Sequence, residues 1–413
     1  MTQHLPGTTG SESAGEEVPD ALTTWARVWI VAGNGARHVI VPLANFVVSY
    51  VVISMASAEV WGEFVVRLVV VTLTVHILAW GNHEYLLRAF SRDPGALGSL
   101  WRRSLVTRGS FLVVAVAGCV ALGLRGGDLG WTVLWLAAAL GHQALTVVVL
   151  FTRRFGVAVS AEVVGLLVTT VLLLSRGPTI DVAFVVKAVV LGLIARLAVG
   201  LAAYSRVIFD GVSVVFDPRH LVEATPFFLT GFSGLLVSKA ELLVVTATLS
   251  HAEIGAYQVL LSFFIAVQSL AAIAVTPFLR EFYRAPDDAG RREARRLLAA
   301  GVAVLVVAVP AAHLVLNRIY GLDLPLTLLV LGACYSLPVY GTLPMVYLLY
   351  KRDRERDVAL ASFAGAAVNI VLTIILVRPF GMAGALAAGT TAQWLLWGAI
   401  WGMQRDRNVS RSP

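Results

Sequence analysis

Long apolar runs, separated by short charged connections, set the pattern of the chain. They fall at approximately 28–55, 61–80, 104–124, 131–151, 155–175, 181–203, 221–249, 254–277, 297–316, 325–349, 358–377 and 382–402. About 20 mostly apolar residues let a helix cross the hydrocarbon core of a bilayer. Membrane strands would instead show short segments of alternating polarity closed into a barrel. These runs are too long and too uniformly apolar for that. The pattern predicts an all-α integral membrane protein of about twelve transmembrane helices.

Composition agrees. Of 413 residues, 58% are hydrophobic and only 14% charged, whereas a soluble domain is nearer one quarter charged. The net charge of +7 does not make a nucleic-acid surface, because the arginines lie between apolar runs and form no contiguous basic face. Their placement tests the helix count. With the N-terminus inside, the connections predicted to be cytoplasmic hold 22 basic residues, from Arg88, Arg92, Arg102, Arg103 and Arg108 through Arg291, Arg292, Arg295 and Arg296 to Arg411. The outer connections hold only Arg125, Arg176, Arg318 and Arg378. The positive-inside rule then predicts a multi-pass protein of the cell membrane with both termini cytoplasmic. Residues 1–23 contain Glu12, Glu16, Glu17 and Asp20 but no Lys or Arg. They read as a disordered cytoplasmic tail rather than a secretory leader. Cys119 and Cys334 sit inside apolar stretches with no metal-ligand spacing.

A repeat underlies the series. Leu87-Arg88-Ala89-Phe90-Ser91-Arg92-Asp93-Pro94 follows the second span, and Leu279-Arg280-Glu281-Phe282-Tyr283-Arg284-Ala285-Pro286 follows the eighth. Ala58-Glu59-Val60-Trp61-Gly62-Glu63-Phe64 precedes the second, and with one residue gapped it matches Ala252-Glu253-Ile254-Gly255-Ala256-Tyr257 before the eighth. Six helices per repeat place both halves the same way up. The expected architecture is two six-helix bundles, 24–205 and 221–403, related by a pseudo-twofold axis along the membrane normal. A cytoplasmic linker at 206–220 joins them, 404–413 forms a cytoplasmic tail, and a path runs between the halves.

Polar residues inside spans mark candidate path-lining positions. At 100° per residue, Arg27, Asn34, His38 and Asn45 share one stripe of the first span and Arg37 flanks it. That stripe faces either a wet cavity or a neighbouring helix. Glu63 and Arg67 are spaced for an ion pair, structural or functional. On the seventh span Thr230, Glu241 and Thr248 share a face, while Lys239 points nearly opposite. Lys187 and Arg196 lie on opposite faces of the sixth span, and Arg196 is placed to snorkel inward. Pro42, Pro310, Pro338 and Pro344 interrupt spans as hinges or as static kinks. No phosphate-binding loop and no His-Glu-x-x-His motif occurs. No enzyme activity and no cofactor are expected.

Several segments together resemble the Wzx-like oligosaccharide flippases, polysaccharide transporters of the multidrug/oligosaccharidyl-lipid/polysaccharide (MOP) superfamily. They are the polar first helix with Ala58–Phe64, the stretch Gly81–Arg88 with Phe90, the hairpin from Glu241 through Gly255-Ala256-Tyr257, and Phe380-Gly381-Met382-Ala383-Gly384. Glutamate stands at 241 where an aspartate is more usual in the family. The resemblance implies a MATE/MOP-like transporter that flips a polyprenyl-pyrophosphate-linked glycan by alternating access. Asn34, Arg37, His38, Asn45, Arg67 and Lys239 would line the substrate cavity, and Glu241 would couple a proton or sodium ion. Implied partners are the lipid-linked glycan, membrane lipids and other polysaccharide-assembly proteins. Competing readings are a MATE-like ion-coupled exporter of small molecules, a major-facilitator-type transporter, a membrane-embedded enzyme of glycan assembly and a non-transporting scaffold. A reporter-fusion map should place Arg291–Arg296 on the same side as Arg88–Arg92. Finding that segment with Arg318 instead would break the topology.

Overall fold

The computed structural model describes residues 24–121, 125–209, 216–275, 287–352 and 354–405. The tail at 1–23, the whole second Leu-Arg repeat motif at 279–286, the linker residues 210–215 and the C-terminal residues 406–413 lie outside these. The described elements are helices: α1 (Thr24–Met55), α2 (Ala58–Ala79), α3 (Asn82–Arg92), α4 (Leu97–Ala121), α5 (Gly126–Thr152), α6 (Phe155–Arg176), α7 (Val182–Ile208), α8 (Arg219–Thr248), α9 (His251–Val275), α10 (Asp287–Ala312), α11 (Leu326–Tyr350) and α12 (Glu355–Arg405). Among the described residues, nine helices are long and apolar enough to cross a membrane. The protein is therefore a multi-pass, all-α membrane protein.

Local chemistry sets the breaks. Ser57 caps α2 by accepting from Val60 N at 3.2 Å. Ser250 and Glu253 form a capping box at the start of α9, with Ser250 Oγ donating to the Glu253 carboxylate at 2.7 Å. After α2, Trp80 and Gly81 take left-handed conformations at φ 40° and 67°. The chain thereby leaves the crossing and enters α3, a short amphipathic helix that buries Tyr85, Leu86 and Phe90. The expected basic loop at Leu87–Pro94 is thus largely helical. Pro310 near the end of α10 precedes a wide π turn, His313–Ile319, as expected where a missing donor loosens the ladder. Pro338 and Pro344 stay inside a continuous α11.

The 49-residue apolar stretch Arg356–Gln404 would be about 73 Å long if straight, far more than a bilayer needs. Gly381, at φ 55° and ψ −134°, breaks it. A Cβ on Gly384 would run into the backbone of Leu376 and Val377, so the chain doubles back and α12 forms two antiparallel arms.

Helices before residue 210 pack mainly with one another, as do those after residue 219. The two sets join where α2 meets α9. A Cβ on Gly62 would overlap the carbonyl of His251, and one on Gly255 would overlap the carbonyl of Ala58. Only bare backbone permits this approach. Ser57 and Ser250, Ala58 and His251, and Gly62 and Gly255 are each 193 positions apart. The matched motifs therefore meet in an ungapped register, not the gapped one that their spelling suggests. Around this contact a single apolar core runs through both sets, from Val52 and Phe64 through Tyr257 and Phe264 to Leu329 and Leu386. Tyr320 reinforces it by donating to Phe46 O at 2.7 Å, and Trp61 Nε1 donates to Gln258 at 3.0 Å.

Toward the other end the core divides. One cluster centres on Leu86, Phe90, Val147, Val148 and Ile208. Another centres on Met345, Leu348, Leu349 and Ile400. Across this end α8 reaches back to the first set: Trp80 stacks on Phe228 at 4.1 Å, and Gly81 lies against the backbone of Ala224, Phe227 and Phe228.

Two arginines expected in cytoplasmic connections are structural. Arg108 is fully buried in α4; its Nε donates to Ala79 O at 2.7 Å and its guanidinium also reaches Trp80 O at 3.4 Å. It satisfies carbonyls left open at the end of α2. Arg102, also buried, donates to Ile208 O. Replacing Gly62 with Ala should lower unfolding free energy in detergent by about 1–3 kcal/mol. The same change at Gly118, which has open space around it, should cost no more than about 0.5 kcal/mol. Equal losses would show that the α2–α9 contact is not close-packed.

Candidate functional site

Among the described residues, the most enclosed acidic group is Glu241. Its position in α8 turns it inward between α9 and the two arms of α12, and its side chain is 0% exposed. Tyr257 of α9 donates its hydroxyl to Oε1 at 2.9 Å. Asn369, on the first arm of α12, donates Nδ2 to Oε2 at 3.4 Å. One turn on, Thr373 donates to Asn369 Oδ1 at 3.2 Å. The second arm contributes absence: a Cβ on Gly389 would overlap Glu241 Oε2 and lie 2.9 Å from the Tyr335 ring. Four helical segments thus converge on one carboxyl group with its hydrogen-bond partners in place.

A carboxylate taken out of water is costly unless it is hydrogen-bonded and balanced by positive charge. The two hydrogen-bond donors are neutral, and Lys239, two residues earlier on α8, acts on the carboxyl through its charge, so the pocket suits a carboxyl group balanced either by Lys239 or by a proton on the acid itself. Among the described residues no group of three or more His, Cys, Asp or Glu side chains could hold a metal ion.

Of the other sequence-predicted positions whose side chains are described, Lys239 acts on the Glu241 carboxyl through its charge. The side chains of Asn34, Arg37 and His38 lie outside the described residues, as do those of Thr230 and Ser233. Asn45 is exposed on α1. Arg67 forms the ion pair that its spacing predicts, Nη2 to Glu63 Oε1 at 3.0 Å, with both side chains about two-fifths exposed. Lys239 is half-buried on α8, two residues before Glu241. Arg196 does not snorkel. It crosses from α7 to Glu162 of α6, with Nη1 2.9 Å from Oε2, and His142 of α5 lies 3.6 Å from the same carboxylate. Tyr257, Asn369, Thr373 and Gly389 were not candidates from sequence. Only the pairing of helices distant in sequence brings them to Glu241.

Between α1 and α9, where the two sets face one another, lies an apolar groove of about 280 Å³. Val39, Leu43 and Phe46 line one side and Phe263, Val267 and Leu270 the other. The Phe46 and Phe263 rings meet edge to face at 6.1 Å.

Removing Glu241 tests how tightly the pocket is built. Glu241→Ala should cost about 1–3 kcal/mol by stranding the Tyr257 and Asn369 donors. Gly389→Ala should destabilise the native chain but cost less in the Glu241→Ala background, where the added methyl has room. Strict additivity in that double-mutant cycle would argue against the contact.

No family model matches the chain, and no curated protein is similar to it in sequence. Solved structures are similar in fold. Lipid II flippase MurJ in an inward closed conformation matches with a TM-score of 0.71 at 10% identity, covering 91% of this chain and 87% of that one. The inward-facing conformation of a multidrug resistance MATE family transporter of the MOP superfamily matches at 0.59 and 13%, covering 90% and 95%. The MATE multidrug transporter DinF-BH matches at 0.57 and 14%, covering 98% and 99%. The chain therefore has the fold shared by MurJ and the MATE transporters, and this likeness does not single out the Wzx-like flippases.

Proposed function

We propose that the chain is a membrane transporter that carries a lipid-linked oligosaccharide from the inner to the outer leaflet by alternating access, for cell-surface polysaccharide export. Its twelve crossings would form two six-helix bundles, 24–205 and 221–403, with both termini cytoplasmic. The observation that carries this reading is the division of the apolar core: one continuous core at the Gly62–Gly255 end, two separate cores at the other. Two bodies joined through one core at one end and, at the other, bridged by α8 between separate clusters are what a rocking transporter needs. The parted end is also where the basic residues cluster, which favours an anionic headgroup.

The apolar groove between α1 and α9 suits an aliphatic tail that stays in the bilayer while its headgroup enters the cleft. In this reading Arg37, Arg67 and Lys239 neutralise the pyrophosphate, and Asn34, His38 and Asn45 meet the sugars. Arg67 would have to leave Glu63 to do so. Glu241 would couple transport to a proton or sodium ion, its occupancy changing how α8, α9 and α12 pack. Other polysaccharide-assembly proteins would supply and remove the substrate. A MATE-like ion-coupled exporter of small molecules is the second reading. The enclosed Glu241 carboxyl, a coupling group that needs no lipid substrate, and the fold shared with MATE transporters favour it.

Reconstituted vesicles carrying a fluorescent polyprenyl-pyrophosphate sugar test both readings. The protein should raise flipping well above protein-free vesicles. Arg37→Ala and Arg67→Ala should each slow it by about ten-fold, the loss of one charge-assisted contact, and Glu241→Gln should remove its dependence on the driving ion. Transport of a lipophilic cation in the same vesicles, without flipping, would favour the exporter. Flipping unaffected by both arginine changes would remove those residues from the site.

A further inference from the structure

The two prolines inside α11 meet tryptophans of another helix. Proline has no backbone N–H, so Pro338 leaves the Cys334 carbonyl without its helical donor, and Pro344 does the same to the Tyr340 carbonyl. The second arm of α12 replaces the first of these donors: Trp394 Nε1 donates to Cys334 O at 3.2 Å. One turn on, Trp397 lies against Gly341, where any Cβ would overlap its indole nitrogen. Trp397 Nε1 is buried with no hydrogen-bond partner among the described residues. The two indoles meet edge to face at 5.5 Å, so a shift of one displaces the other. One kink is clasped, and the next has an unused donor beside it.

The same segment of α11 touches both parts of the proposed path. Tyr335 borders the Glu241 carboxyl, because a Cβ on Gly389 would meet both side chains. Ser336 Oγ donates to Phe264 O at 3.3 Å, and Tyr340 Oη donates to Val267 O at 2.7 Å. Both acceptors belong to α9, and Phe263, Val267 and Leu270 of that helix line the apolar groove. Pro338 lies between Tyr335 and Tyr340, and a helix bends where proline interrupts its ladder.

We infer that Trp394 and Trp397 are positioning residues for ion coupling: they set the angle of α11 at its prolines, and this segment carries the state of the Glu241 carboxyl to the groove. Transfer of the clasp from Cys334 O to Tyr340 O exchanges one satisfied carbonyl for another. The segment then has two positions of similar hydrogen-bond content, as a switching element requires. The inference rests on the reading of Glu241 as the coupling group, but it concerns how that state is transmitted and not which ion sets it.

Spin labels on Leu43→Cys and Leu270→Cys span the groove. They are read by electron–electron double resonance on the full chain in nanodiscs, with Cys119→Ala and Cys334→Ser removing the native thiols. Glu241→Gln, a neutral mimic of the protonated acid, should shift the label distance by about 2 Å, the size of a helix shift at a packed interface. Trp394→Phe keeps a ring and removes the donor, and Pro338→Ala returns the backbone donor and releases the kink. Each should abolish most of the shift. Trp401→Phe, in the same stack of rings, should leave it intact. Melting curves verify that every variant is folded; a merely structural role would lower the melting temperature and leave the shift. No shift with Glu241→Gln, a shift that survives both Trp394→Phe and Pro338→Ala, or an equal loss with Trp401→Phe would overturn the link. Native flipping that depends on the driving ion alongside any of these results would leave the Glu241 reading standing. Ion-independent flipping would remove that reading whatever the groove does.

Discussion

The structure depends on one close approach, that of α2 and α9 at Gly62 and Gly255. In a bilayer apolar side chains gain nothing from leaving water, so helices adhere through packing and interhelical hydrogen bonds. Two facing glycines let the backbones touch, and each brings a carbonyl of the partner helix to the place where a side chain would stand. The apolar core that grows from this contact joins two helix sets that pack mainly with themselves elsewhere.

Buried polar groups meet the membrane in three ways here. Arg108 donates to carbonyls at the end of α2, so a cation does the work of a helix cap. Glu162 and Arg196 neutralise one another beside a cavity. Glu241 has neutral partners only in its hydrogen bonds to Tyr257 and Asn369. The first arrangement is complete and fixes the corner between α2 and α3. The second ties α6 to α7, and at the third Lys239 adds its charge to the two neutral donors.

The two helix sets solve a similar packing problem differently. Between α6 and α7, Thr169 fills the space that Gly192 leaves, and its hydroxyl bonds within α6 to Gly165 O at 2.9 Å. Between the arms of α12, the space left by Gly389 holds the Glu241 carboxylate from α8. A small residue thus seals a helix pair in one set and admits a titratable group in the other.

The sequence alone determined the bilayer as solvent, the helical class, most of the long apolar helices and the charge bias of the connections, because each follows from hydrophobic length and residue type along a contiguous stretch. It also revealed the repeated motifs and the Glu63–Arg67 pair, which are local. Only the tertiary structure decided the register in which those motifs meet, the turn of α12 at Gly381, and the roles of Arg102, Arg108 and Arg196. Helical phase grouped Glu241 with Thr230 and Thr248 on one face but could not name Tyr257, Asn369 and Gly389 as its neighbours. An apolar helix carries little pattern on its faces to specify what packs against it, so such contacts are set by steric fit between segments far apart in the chain.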